Sequence, residues 1–185
     1  CMASMGTVVT VDPGCRGCGV TYWYEARLTA AAYIKNPVLK GQDAMSASVL
    51  AEKVGMWVRE NATTKKLSGI FAADIFRLVV EVPRIYPAGS QKGDQNDLIG
   101  VALVAGAVAS AVMAEDVIQY FPREWKGTAK KEDVIEIIKS RIDSEESKAV
   151  ILPRAQDLAH NVWDSVGIGL HYFGRLLPAR KYHKE

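Results

Sequence analysis

Residues Thr7–Tyr24, TVVTVDPGCRGCGVTYWY, decide how the chain begins to fold. The β-branched run Thr7–Val11 stops at the sequence DPG of residues 12–14, and after a Gly-rich reversal a second β-prone run covers Val20–Tyr24. Two such runs around a turn predict a β-hairpin. Asp12 lies at the end of the first strand. It either initiates the turn or pairs with a cation, because burying a lone carboxylate is costly.

The composition is that of a single folded domain. The chain has 185 residues, of which 49% are hydrophobic and 24% charged, which favours a globular protein over a disordered one. A net charge of +2 gives no global attraction to nucleic acid, so a polyanionic partner would need local basic patches. We interpret residues 1–6 as a leader or cloning remnant, residues 7–176 as the domain and residues 177–185 as a basic tail.

Cysteine is rare in this chain. Three cysteines are too few for a disulfide framework, and the absence of a signal peptide also favours a reducing compartment. Cys15 and Cys18 have CxxC spacing, but no second Cys or His pair follows to complete a zinc site. We interpret them as two thiols in a loop, and a redox or metal role is the lesser alternative.

The remaining pattern predicts one α/β domain of order β-β-β-α-β-α-β-α-α. The strand Phe76–Pro83 is apolar on both faces, which is typical of a central parallel strand. The helix Asp97–Met113 has an apolar run too short to span a membrane, and it forms either a core helix or a contact with a second subunit. The other predicted elements are a strand at 25–34, a helix at 42–61, a strand at 116–121, a helix capped by Thr128 and ending near Ile142, and a final helix from after Pro153 to about Phe173.

Acidic residues recur at separate points of this pattern. Glu81 lies in an otherwise apolar strand. One ridge of the final helix carries Asp157, His160, Asn161 and Asp164, with no Lys or Arg among them. Such a ridge is commonly only the wet side of a helix. Together with Asp12, however, these carboxylates would repel one another until a divalent cation bound, and oxygen ligands select Mg²⁺ or Mn²⁺. Two ions about 4 Å apart would support phosphodiester hydrolysis.

The order of these acids resembles a known family. The sequence DPG after a strand, Glu81 in the fourth strand and WDSVGIGL at residues 163–170 look like the three acidic motifs of RuvC-type Holliday-junction resolvases. The resemblance spans Val8 to Arg175. The motifs KGDQNDL at 92–98, WKG at 125–127 and HNVWD at 160–164 are more similar to phage-encoded RuvC-like proteins than to the bacterial enzyme. It implies an RNase H-like fold, with a mixed five-stranded β-sheet flanked by helices on both faces.

The resemblance also implies a function. It predicts a homodimer that acts in the cytoplasm of a phage-infected cell, without a membrane, and nicks branched DNA symmetrically at four-way junctions. Asp12, Glu81 and Asp164 match metal-binding acids for two Mg²⁺ ions per site, with Mn²⁺ as a substitute. Asn161 stands where the bacterial family carries a fourth Asp, so Asp157 or His160 could take over part of its role, with His160 as ligand or proton shuttle. Lys131 falls near a lysine that assists catalysis.

Basic and aromatic residues flank the predicted acids. The predicted DNA-binding residues are Arg84, Tyr86, Lys92, Trp125, Lys126, Lys130 and Lys131, and Arg175 begins a basic tail. Tyr86 and Trp125 could stack on unpaired bases. Each of these residues taken singly is more often a surface charge or a core aromatic. The competing interpretation is a catalytically decayed DNA-binding or scaffold protein, with Asn161 marking the loss. An actin-like ATPase would need a second domain of comparable size.

Overall fold

The computed structural model describes residues 6–38, 43–67, 75–84 and 95–176. Its strands are β1 (Thr7–Asp12), β2 (Gly17–Tyr24), β3 (Arg27–Lys35), β4 (Ile75–Glu81) and β5 (Asp116–Tyr120). They form one five-stranded sheet in the order β3-β2-β1-β4-β5. The first three strands pair antiparallel, whereas β4 pairs parallel with both β1 and β5. The predicted hairpin, mixed sheet and central parallel strand are confirmed.

Helices cover both faces of this sheet, as predicted. They are α1 (Ala44–Leu67), α2 (Gln95–Val112), α3 (Pro122–Trp125), α4 (Lys131–Arg141), α5 (Ser144–Lys148) and α6 (Ala159–Tyr172), and a 3₁₀ turn at Gln156–Leu158 precedes α6. Helices α1 and α2 pack on one face, and α4 and α6 pack on the other. Within the described ranges no helix is long and apolar enough to cross a lipid bilayer.

Strand alternation decides which side chains meet α6. Val9 and Val11 of β1 belong to the core under α1 and α2, so Val8, Thr10 and Asp12 face α6. In β4, Val79 lies in the α6 core, and Glu81 therefore faces the same way. Because β1 and β4 are parallel and Val11 pairs with Val80, Asp12 and Glu81 lie at adjacent carboxyl ends.

Two predicted boundaries are wrong for local reasons. Glu25 and Ala26 do not begin β3, because their φ angles of 49° and 64° place them in a left-handed turn. Thr128 does not cap α4, which begins at Lys131 with Lys130 at the N-cap. The short helices α3 and α5 were absent from the predicted pattern. In α5, the Asp143 side chain accepts hydrogen bonds from the Glu145 and Glu146 amides.

The start of α6 lies directly on β2. A Cβ at Gly19 would lie 1.8 Å from the carbonyl oxygen of Asn161, so only glycine allows this approach. From Val162 to Leu170 every residue of α6 is buried. The helix is therefore held tightly against the sheet at the edge where Asp12 ends β1.

The two described cysteines differ in environment. Cys15 is half-buried in the turn after β1, and Cys18 is fully buried in β2; neither is in a disulfide. Burial raises the pKa of Cys18 to about 12. Its thiol therefore stays protonated at neutral pH and serves as a core side chain, while Cys15 remains at the surface of the turn.

Candidate active site

Three carboxylates meet at the carboxyl edge of the sheet, on the face covered by α6. Asp12 ends β1, Glu81 ends β4 and Asp164 lies in α6. Asp12 is 9% exposed, and the side chains of Glu81 and Asp164 are 14% and 11% exposed. These residues, called the acid cluster below, come from distant parts of the chain and are nearly excluded from water. Burial of three carboxylates requires compensating positive charge.

Lys126 provides part of that charge. It follows α3, and its Nζ lies 3.1 Å from Asp164 Oδ2 and 3.4 Å from Glu81 Oε2. Three carboxylates against one ammonium leave an excess of two negative charges when all are ionised. The predicted ridge contained no Lys or Arg, but the fold brings this lysine in from another segment. Its predicted contact with DNA remains a prediction.

Trp125 orients Glu81 through a hydrogen bond. It is 3% exposed, and its Nε1 donates a 2.6 Å hydrogen bond to Glu81 Oε2. Its ring fills space that Gly167 leaves open, since a Cβ there would lie 2.5 Å from the ring. In this structure the ring is enclosed in the core and orients a carboxylate, and its predicted stacking on unpaired DNA bases stays a prediction.

The electrostatics of the acid cluster favour a bound cation. Burial raises the pKa of Asp12 well above its ordinary value, and the charges of Glu81 and Asp164 raise it further. Burial also raises the pKa of Glu81, against the opposing effects of Lys126 and the Trp125 hydrogen bond. Burial alone would lower the pKa of Lys126, but the surrounding carboxylates raise it. The cluster thus takes up protons more readily than free carboxylates do, because one ammonium does not balance it.

The predicted ridge before Asp164 is not one continuous helix face. The 3₁₀ turn interrupts it, and Asp157 forms an exposed ion pair with Arg16 at 3.5 Å. His160 is half-buried in the first turn of α6, and Asn161 beside it lies over Gly19. Burial and then the charge of Lys131 lower the pKa of His160, while Asp164 raises it. His160 and Asn161 remain beside the acids, whereas Asp157 faces a basic partner.

The other predicted DNA-binding residues occupy varied positions. Lys130 and Lys131 are exposed at the start of α4, and the charge of Lys131 lowers the pKa of Asp12. Arg84 lies with its guanidinium 5.1 Å from the centre of the Phe121 ring. Tyr86 and Lys92 lie outside the described residues. Arg175, expected to contact DNA with the tail, instead pairs with buried Glu146 through two bonds of 2.6 and 2.7 Å.

A chain of buried hydroxyl groups fixes α6 on β1. Trp23 Nε1 donates to Thr21 Oγ1 at 2.6 Å, Thr21 and Thr10 are hydrogen-bonded through their hydroxyls, and Thr10 Oγ1 donates to the Ser165 carbonyl at 2.6 Å. Because the Ser165 carbonyl can only accept, Thr10 donates its one proton to it and accepts from Thr21, which in turn accepts from the indole. Thr10 lies two residues before Asp12, and Ser165 follows Asp164. The sequence suggests only β propensity for these threonines, so this role was missed.

The carboxylates of the acid cluster are ligands of the kind that a hard divalent cation takes, but their oxygens do not surround a single point. Among the described residues, no group of three or more His, Cys, Asp or Glu side chains is close enough to hold a metal ion. The Lys126 ammonium lies between Glu81 and Asp164 and supplies the positive charge that a metal ion would supply there. Carboxylate oxygens are the ligands that Mg²⁺ and Mn²⁺ prefer. A metal ion would have to displace this ammonium.

Comparisons with known proteins establish the fold. RuvC of T. thermophilus in complex with Holliday junction substrate superimposes with a TM-score of 0.50 at 19% identity, covering 94% of this chain and 99% of that one. The yeast mitochondrial Holliday junction resolvase Ydc2 gives a TM-score of 0.51 at 8% identity, covering 95% of this chain and 84% of that one. No protein-family model and no curated protein matches the sequence. The predicted fold, a mixed five-stranded sheet with helices on both faces as in these two structures, is confirmed.

Proposed function

We propose that the chain is a metal-dependent, structure-selective endodeoxyribonuclease that resolves Holliday junctions and related branched DNA by symmetric nicking. The observation that carries this proposal is the convergence of Asp12, Glu81 and Asp164 at one sheet edge, nearly excluded from water and short of positive charge. The two structural neighbours named above are both Holliday-junction proteins by description, and one is bound to that substrate.

The chemistry proposed for the acid cluster is metal-assisted hydrolysis. Asp12, Glu81 and Asp164 would hold Mg²⁺, with Mn²⁺ as a substitute and two ions per site. Bound metal supplies a Lewis acid and an acidic water. His160, whose pKa is lowered by burial and by Lys131, is neutral at physiological pH and can accept a proton from the attacking water. Asn161 offers a neutral carbonyl ligand.

Lys126 and Trp125 would prepare the site for the metal. When no metal ion is bound, the ammonium offsets the repulsion between the Glu81 and Asp164 carboxylates. The indole holds one Glu81 oxygen in a fixed direction. Displaced by a metal ion, Lys126 would be free to contact a phosphate, which is compatible with its predicted role in DNA binding.

Cleavage of branched DNA tests this proposal. Labelled four-way, forked and linear duplex DNA is incubated with the protein in Mg²⁺, Mn²⁺ or chelator, and we expect paired nicks in the four-way junction only when metal is present. Asp12→Asn should bind the junction without nicking it. Asp133→Asn, the same change at an exposed position of α4, should cleave normally. Full cleavage by Asp12→Asn in Mg²⁺ would refute the assignment.

A homodimer is part of the proposal, because a symmetric substrate suits a protein with a two-fold axis. Helix α2 exposes 59% of Ile99 and 39% of Leu103, which makes it the candidate contact surface. Light scattering at micromolar concentration should give the mass of two chains, and Ile99→Glu should reduce it to one. A monomeric mass for the unaltered protein would refute this part. Phage origin and action in the host cytoplasm stay predictions.

A catalytically decayed DNA-binding or scaffold protein is the second candidate. It is favoured by the Asn161 amide in place of an acid and by the Lys126 ammonium already between two carboxylates. Such a protein would bind branched DNA in chelator and would nick it in neither Mg²⁺ nor Mn²⁺. The cleavage assay above therefore separates the two candidates.

A further inference from the structure

A basic cavity lies beside the acid cluster, on the β3 side of the same sheet edge. It has a volume of about 810 Å³ and is bounded by the turn after β1, the end of β3 and the segment before α6. The charged residues that line it are Arg16, Lys35 and Arg154, all of them cations. Within the described ranges, the one ion pair these residues form is the exposed contact of Arg16 with Asp157. An exposed pair of this kind is worth little and can exchange for another anion.

The wall of this cavity is fixed by buried hydrogen bonds. Asn36 is 3% exposed; its backbone amide donates to the Arg16 carbonyl at 3.0 Å, and its Nδ2 donates to the Cys15 carbonyl and to Ser46 Oγ, both at 2.9 Å. The turn that carries Arg16 is thereby attached to α1. Tyr33 also lines the cavity, and its buried hydroxyl has no hydrogen-bond partner among the described residues. Three cations around one cavity favour an anionic ligand.

The position of the cavity relates it to the acids. Gly17 pairs with Lys35 and Asp12 pairs with Gly19, so the cavity and Asp12 lie at the same end of β1, β2 and β3. Burial raises the pKa of Tyr33. The charge of Arg16 lowers this pKa, and the charges of Asp157 and Asp12 raise it. Lys130 and Lys131 lie on the α4 side of the acids. A chain of phosphates crossing this edge would therefore meet cations, then the acid cluster, then cations again.

We propose that the basic cavity binds a backbone phosphate, with its sugar, of the DNA strand that the acid cluster cuts. The proposal rests on the nuclease function proposed above. Arg16, Lys35 and Arg154 would pair with the phosphate oxygens. The volume is within the range that holds a nucleotide-sized group. The cavity would thus set which side of the acids the DNA strand enters.

Salt-dependent binding tests the cavity directly. Binding of a labelled four-way junction is measured by fluorescence anisotropy in chelator at several salt concentrations, for the full chain and for Lys35→Gln/Arg154→Gln. With this one phosphate no longer neutralised, the slope of log Kd against log salt should fall by about one and binding should weaken on the order of tenfold. The matched control is Lys53→Gln/Lys148→Gln, which removes two exposed charges outside the cavity and should retain the slope.

The outcomes separate this proposal from the nuclease assignment. If the unaltered protein nicks the junction and Lys35→Gln/Arg154→Gln matches the control in slope and affinity, the cavity proposal is overturned and the nuclease stands. If no nicking occurs but the cavity variant alone loses slope, the nuclease fails and the cavity stands as a DNA site. A labelled mononucleotide should bind weakly. Tight mononucleotide binding that the cavity variant abolishes, with junction binding unchanged, would overturn the strand assignment.

Discussion

Two regions of this molecule bury carboxylates, and they do so with opposite results. Glu146 is 2% exposed and accepts hydrogen bonds from Arg175 and from the backbone amides of Leu28 and Asp143. Although burial acts to raise its pKa, these bonds lower the pKa to about 2. In the acid cluster, burial prevails and the pKa values of Asp12 and Glu81 are raised.

The two regions differ in the number of donors that face their carboxylates. The bonds around Glu146 satisfy its charge completely, so this region stabilises the fold. The acid cluster has one ammonium and one indole for its carboxylates, so it is destabilised until another cation arrives. Perturbed carboxylates of the second kind are typical of functional sites.

Removing the partner of Glu146 should have the largest effect on stability. Arg175→Met leaves a buried carboxylate without its guanidinium and should lower the free energy of unfolding by about 3–5 kcal/mol, measured by urea denaturation. The control Arg27→Met breaks the exposed pair with Asp143 at 2.9 Å and should cost about 1 kcal/mol or less. Equal losses in the two variants would show that Glu146 is not structurally special.

In metal-free protein, the free energy of unfolding should fall both in acid and at higher pH, because the buried carboxylates have pKa values shifted in opposite directions. The pKa of Glu146 falls from 4.5 unfolded to about 2 folded, so its contribution, about 3 kcal/mol, is complete above pH 4.5 and is lost as the pH falls toward 2. Asp12 and Glu81 act in reverse, because their folded pKa values lie above the ordinary 3.8 and 4.5. Their contribution is lost as the pH rises through the folded values.

Variants assign these two slopes in denaturation measured against pH. Arg175→Met should remove most of the loss in acid, and Asp12→Asn should reduce the loss at higher pH. If Asp12→Asn leaves the higher-pH slope unchanged, the raised pKa of Asp12 is not its source.

Neutralising one acid of the cluster should stabilise the metal-free protein. Asp12→Asn removes a repelling charge while keeping the side-chain shape, so its unfolding free energy should rise by about 1–2 kcal/mol. Asp133→Asn, exposed on α4, should change stability by about 0.5 kcal/mol or less. A loss of stability in Asp12→Asn would mean that its carboxylate is satisfied like Glu146.

A buried network without charge should give the smallest change. Thr10→Val removes the hydroxyl between Thr21 and the Ser165 carbonyl and should cost about 1 kcal/mol of stability. Because these hydrogen-bonded hydroxyls position α6 on β1, nicking should fall as well. Thr10→Ser should restore both stability and nicking. If Thr10→Val cleaves the junction at the normal rate, the hydrogen-bonded hydroxyls have no positioning role.

The sequence predicts the fold well because local patterns decide it. Alternating apolar residues and the turn at residues 12–14 predict the hairpin, and the apolar run before Glu81 predicts a central parallel strand; the structure has both. The sequence also identifies the three acids from their order along the chain. Their meeting at one sheet edge follows from strand parity and from the parallel pairing of β1 with β4.

What the sequence did not predict depends on contacts between distant residues. Trp125 resembles an exposed aromatic in a basic turn, because the space that Gly167 leaves for its ring is visible only in the fold. Lys126 was expected on the surface, yet the same turn brings it between Glu81 and Asp164. Arg175 was assigned to a basic tail, since nothing local in the sequence indicates its pairing with Glu146.

Calorimetric titration with Mn²⁺ tests the central claim, that the acid cluster is a cation site, most directly. The metal-free protein is titrated beside Asp12→Asn and the control Asp133→Asn. We expect saturable binding by the unaltered protein and by Asp133→Asn, and binding weakened at least tenfold in Asp12→Asn. No saturable binding by the unaltered protein, or equal binding by all three, would contradict the account.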